Sequence, residues 1–106
     1  MKHRARTAYR IEYAPEAEAH LNALTKREAT TVLDTVSRQL GHQPTVITRN
    51  RKPLEANPVA PWELRIGALR VYFEVMEEPE GVVRIVAVGL KDRDRVLIGG
   101  VEIELR

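Results

Sequence analysis

The stretch from Pro61 to Val75 limits the possible folds of this chain more than any other. Trp62, Leu64 and Ile66 alternate with Glu63 and Arg65, and beyond Gly67-Ala68, Leu69, Val71, Phe73 and Val75 alternate with Arg70, Tyr72 and Glu74. A period of two on both sides of a Gly-containing pair predicts an antiparallel hairpin with one face in a core and the other exposed. Arg65 and Arg70 fall on the exposed face, a few residues apart across the turn. Two guanidiniums on rigid strands suit a phosphate, because each offers a planar fork of donors. Pattern alone is also satisfied, more simply, by a solvated sheet face with ordinary surface charge.

The rest of the chain supplies what such a hairpin packs against. Tyr9, Ile11 and Tyr13 alternate with Arg10 and Glu12, which predicts a first strand. Pro15 suits a first helical position, where no N–H is needed, and Ala17, Leu21 and Leu24 follow at i, i+4 and i+7. Thr25 and Glu28 have the spacing of a capping box, so a second helix is expected with Ala29, Val32, Leu33, Val36 and Leu40 as its buried face and Gly41 as its stop. Helices so closely joined are expected to pair antiparallel and to lie on one face of the sheet. Residues 42–60 carry prolines at 44, 53 and 58 and read as a long loop, of the kind that is often functional. Glu77 to Gly81 form the next turn, and Val82 to Val88, apolar except for Arg84, read as a central strand buried on both faces. Lys91 to Arg95 read as a charged turn or short helical segment. Val96–Ile98 with Val101 and Ile103 suggest a short final strand or tail. The expected fold is α+β, an antiparallel sheet of four to five strands with an N-terminal helical hairpin on one face, in the order β-α-α-β-β-β.

A chain of 106 residues is expected to build one domain, spanning 1–106, with residues 1–7 frayed. The net charge is only +2, but the basic residues are clustered: Arg49, Arg51 and Lys52 in one loop, Lys91, Arg93 and Arg95 in another, and Lys2, His3, Arg4 and Arg6 at the start. Such clusters permit contact with nucleic acid or an acidic protein without requiring it. The absence of cysteine excludes disulfides and thiol chemistry. No apolar run approaches a membrane span, and the basic start lacks the hydrophobic stretch of a secretory signal, so a cytoplasmic protein is the expectation. His3, His20 and His42 lack ligand spacing, and no metal site is expected. Trp62 reads as a core anchor, Asp92 and Asp94 as partners of nearby arginines, and Glu77, Glu78 and Glu80 as a solvated hairpin tip.

The element order, with Trp62-Glu63-Leu64-Arg65 leading into Leu69-Arg70-Val71-Tyr72-Phe73-Glu74-Val75 and on to Val83 through Lys91, resembles the RelE/ParE superfamily of bacterial toxins. The resemblance covers about residues 9–98 and rests most on the W-E-L-R strand, the x-R-V-x-[FY]-x-V strand and a V-x-V-G-x-[KR] strand end. It implies the toxin of a type II toxin–antitoxin pair, neutralised by a cognate antitoxin whose C-terminal segment wraps around it. RelE-like members enter the ribosome and cleave mRNA without metal or other cofactor, the ribose 2′-OH attacking its own 3′-phosphate. ParE-like members inhibit DNA gyrase instead, and a non-toxic binding module of the same fold is a third outcome.

In-line attack of this kind needs a base at the 2′-OH, cations on the phosphoryl oxygens and an acid at the departing 5′-oxygen. By the resemblance, Arg70 is expected on the scissile phosphate. Arg65 and Lys91 match basic family positions, with Arg93 beside Lys91. Lys52 or Glu63 would be the base, the lysine only if its pKa is strongly lowered. Arg49, Arg51 and Arg93 would touch the RNA backbone, and Tyr72 would stack on a base. At two positions the chain departs from the family pattern: Leu97 stands where a Tyr or His is usual, and Glu63 where a lysine is usual.

Overall fold

The computed structural model describes residues 8–103, so the expectation of a frayed 1–7 lies outside the described residues. Strand β1 (Arg10–Tyr13) leads through Ala14 into helix α1 (Pro15–Asn22), with proline in the first turn as expected. Helix α2 (Lys26–Leu40) begins at a complete capping box: Thr25 accepts from the Glu28 N–H, and the Glu28 carboxylate accepts from the Thr25 N–H. Leu24 falls in the link between the helices and is partly buried. Strands β2 (Arg51–Pro53), β3 (Trp62–Ile66), β4 (Leu69–Met76), β5 (Val82–Asp92), β6 (Arg95–Ile98) and β7 (Val101–Ile103) complete the chain.

The fold is α+β, as the sequence implies, but the sheet has seven strands rather than four or five, and it is mixed. Strands β2-β3-β4-β5-β6-β7 are hydrogen-bonded in that order, and all of these pairs are antiparallel. The exception is β1, which runs parallel to β5 and pairs Arg10 to Tyr13 with Val82 to Ile85. Three local features account for the difference. Arg51-Lys52-Pro53 pair with β3 despite the surrounding prolines, because a proline at a strand end on the sheet edge forfeits little. Gly99 and Gly100 both have positive φ (60° and 79°), and they fold the tail into a tight β6–β7 hairpin. The charged segment around Arg93 is the turn of another hairpin, with Arg93 itself at φ 61°.

One edge of β5 is shared. β1 covers it up to Ile85 and β6 from Gly89 onward, which leaves the Val88 N–H in the gap between them. His20 of α1 fills that gap, its Nδ1 accepting from Val88 N at 3.2 Å.

The core lies between the helices and one sheet face. Ala17, Leu21, Val32, Val36 and Leu40 pack against Leu64, Val71, Phe73, Val83, Ile85 and Val88, and Trp62 stacks on Phe73 with ring centroids 6.0 Å apart. These are residues of the sequence pattern, except that Leu33, expected on the buried face of α2, is exposed at 46%. On the opposite face a smaller cluster of Ala60, Tyr72, Ala87 and Ile98 is covered by the segment around Leu54 and Val59.

A β-bulge joins the two faces. Phe73 is opposite Ile85 but Tyr72 is opposite Ala87, so Val86 is the extra residue on β5. Up to Ile85, the odd-numbered residues of β5 face the helices. Beyond the bulge Val88 and Leu90 take that role, and Ala87, Gly89 and Lys91 turn to the other face.

Candidate functional site

The site is assembled on the sheet face away from the helices, at the end carrying the Gly67-Ala68 turn. Gly67 has φ 60°, the conformation that the first position of such a hairpin turn demands. Residues opposite one another in a sheet point to the same side, so the register fixes what meets there. Arg65 is opposite Arg70, Arg70 is opposite Gly89, and one step inward Lys52, Glu63, Tyr72 and Ala87 form a row. Lys91 reaches the same face because of the bulge, and its N–H bonds to the Ala68 carbonyl at 2.7 Å.

Two arginines directly opposite one another repel, and the structure shows what holds each. Arg70 is nearly buried and donates from Nη1 to the carbonyls of Gly67 (2.6 Å) and Leu69 (2.9 Å). Its Nη2 and Nε have no partner among the described residues. Arg65 donates from Nε to the Glu63 carboxylate at 3.1 Å. The Glu63 side chain is 6% exposed and that of Arg65 45%, so the carboxylate lies in the sheet and the guanidinium reaches out from it. Lys52 and Lys91 are exposed and make no ion pair among the described residues. Around the Gly67-Ala68 turn this face thus carries the cationic side chains Lys52, Arg65, Arg70 and Lys91 with the Glu63 carboxylate among them, while Glu74 and Arg84 sit opposite one another farther along the same face.

Arg49 is exposed at the tip of the tight turn between Thr48 and Arg51, and Arg93 is exposed at the β5–β6 turn. Both flank the face without belonging to it. Two expectations are corrected. Arg51 is not available to RNA: it is 6% exposed, and its guanidinium donates to the carbonyls of Gln39 (2.8 Å), Gln43 (2.8 Å) and Val46 (3.1 Å). Pairing opposite Leu64 puts it on the helix side, and burial lowers its pKa. Tyr72 cannot stack on a base, because it is fully buried under the second cluster. Its hydroxyl lies near the Glu63 carboxylate without a well-formed hydrogen bond, and burial, reinforced by the Glu63 charge, pushes its ionisation well above the usual phenol range.

Leu97 is opposite Leu90 and therefore faces the helix side. The β6 residues on the arginine face are Val96 and Ile98, both aliphatic. The groups that the sequence did not single out are the Gly67 and Leu69 carbonyls that anchor Arg70; Gly89, the glycine of the V-x-V-G-x-[KR] strand end, is required because a Cβ there would lie 2.8 Å from the Leu97 carbonyl oxygen and 2.9 Å from Ile98. No family model matches this chain, and no curated protein matches it.

Proposed function

We propose that this protein is the toxin of a type II toxin–antitoxin pair, acting in the RelE-like manner on mRNA at the ribosome. The observation that carries the reading is the register that sets an exposed Arg65 opposite a nearly buried Arg70 on one sheet face, with a bulge turning Lys91 to the same side. In this reading Arg70 offers its free Nη2 and Nε to the scissile phosphate, and Arg65 and Lys91 balance the charge that builds on the phosphoryl oxygens during 2′-OH attack. Lys52, exposed beside the cluster, is the candidate base. Glu63 is engaged with Arg65 and is less suited to that role. Arg49 and Arg93, on turns at the margins, would guide the RNA backbone. A cognate antitoxin is the partner that this reading requires.

A second reading has an observation of its own. Among the described residues the arginine face presents no accessible Tyr or His as acid for a departing 5′-oxygen, since Val96 and Ile98 are aliphatic and Tyr72 is buried, which leaves only its lysines and arginines for that role. A ParE-like protein that binds DNA gyrase without catalysis needs no such donor. Primer extension on a message translated in a reconstituted extract separates the two readings, with wild type and Arg70→Ala compared with and without ribosomes. Ribosome-dependent cuts that vanish in a folded Arg70→Ala variant support the nuclease. Intact message at high protein concentration overturns it, and inhibition of gyrase supercoiling is then the expected activity.

A further inference from the structure

A carboxylate beside an anion site is electrostatically the wrong residue, and Glu63 is nearly buried there. Side chains two apart on a strand lie side by side on one face, and the Glu63 carboxylate takes only one of the five guanidinium N–H donors of Arg65, the one on Nε. The four N–H groups on the two terminal nitrogens of Arg65 have no partner among the described residues. Nearly buried Arg70 is held in a complementary way, by Nη1 on two carbonyls, and its remaining nitrogens have no partner among the described residues. Each arginine is thus hydrogen-bonded through one nitrogen, and its other nitrogens have no partner among the described residues.

We propose that Glu63 is the positioning residue of this site, a carboxylate that grips Arg65 by Nε and thereby aims its terminal fork at the phosphate of a nucleic-acid ligand. The inference rests on the phosphate-binding reading of the face and specifies how the site is organised before ligand arrives. Arginine has a long side chain with much rotamer freedom, and ordering it in advance lowers the cost of binding. Glu63 also offsets the repulsion between Arg65 and Arg70 while the site is empty.

Orientation and charge make opposite predictions, which gives the test its power. A single-stranded RNA blocked by 2′-O-methyl groups, and separately inorganic phosphate, are titrated into the full chain at low salt. Wild type is compared with Glu63→Gln, Glu63→Ala and Arg65→Ala. Gln keeps an acceptor for Nε and removes the negative charge, so Glu63→Gln binds RNA as tightly as wild type or more so. Glu63→Ala also removes the charge but frees the fork, and it is expected to bind about threefold to tenfold more weakly, approaching Arg65→Ala. The Arg65 Nε–H resonance in NMR spectra reports the grip directly. It should be sharp and slow to exchange in wild type and Glu63→Gln, and lost in Glu63→Ala. Binding by Glu63→Ala equal to or tighter than wild type overturns the positioning role, as does an Nε–H signal indifferent to the substitution. A wild type that binds neither RNA nor phosphate overturns the phosphate reading of the face, and the ligand-aiming role with it.

Discussion

Replacing Arg51 with alanine should destabilise the protein far more than replacing its neighbour Lys52. Three N–H···O bonds run from one Arg51 guanidinium to Gln39, Gln43 and Val46, tying the end of α2, the loop after it and β2 into one knot. Hydrogen bonds involving a charged group contribute about 1.5–3 kcal/mol each, but three on one side chain share a single desolvation cost. The buried Nε–H is unpartnered, which takes back about 1–3 kcal/mol. Gln39 lies in the last turn of α2, where a positive charge gains about 0.3–1 kcal/mol. The balance is a loss of about 3 kcal/mol for Arg51→Ala, a large part of the roughly 5–15 kcal/mol available to a domain. Arg51→Lys should recover only a fraction, since one ammonium cannot span three separated carbonyls. Lys52→Ala, on the exposed side of the same strand, should change stability by no more than about 0.5 kcal/mol. Urea denaturation followed by circular dichroism reads these values as shifts in midpoint at constant slope. An Arg51→Ala cost below about 1 kcal/mol, or a Lys52→Ala cost equal to it, would refute the assignment of the two residues to opposite sides of β2.

Three further outcomes are expected. Tyr72→Phe removes a buried hydroxyl that has no well-formed hydrogen bond, so it should leave stability unchanged or raise it by up to about 1 kcal/mol in the same titration; a clear loss would reveal a partner for that hydroxyl. Thr25→Ala breaks the capping box of α2 and should cost about 1 kcal/mol, visible as a lower urea midpoint. Burial lowers the His20 pKa, against the opposing pull of Glu16, so the folded state favours the neutral ring that accepts from Val88. The His20 contribution is therefore complete above the unfolded value of about 6.5 and is lost as pH falls from there through the folded pKa. The midpoint should drop across that window in wild type and drop less in His20→Gln.

The hairpin, the helices and their caps were legible because each is written locally. Alternation around Gly67-Ala68, the Thr25–Glu28 pair and Pro15 need only neighbouring residues to act. The parallel docking of β1 on β5 was not, since nothing in Tyr9 to Tyr13 says which distant strand it will join. The arginine pair across the turn could be read from spacing alone. Placing Lys91 beside it could not, because its side depends on one unpaired residue, Val86, inside a run of apolar residues that all look alike. Arg51 and Lys52 were grouped as one basic patch because composition carries no parity. Once they pair with Leu64 and Glu63, adjacent residues must point in opposite directions. Tyr72 was misjudged for a related reason: the sequence does not show that a second small core covers the exposed side of the hairpin.

The parallel pairing of β1 with β5 also sets an order of events in synthesis. The first strand made has no partner until Val82 to Ile85 exist, whereas β3 and β4 can fold together as soon as their short turn is made. Contacts between residues far apart in sequence form slowly and late. A chain still being synthesised can therefore make its arginine-bearing hairpin while β1 waits unanchored, and β1 is locked into the sheet only once β5 has been made. An mRNA cut short before the codons for β5 would yield a product with the hairpin but without the strand that locks it to the helices.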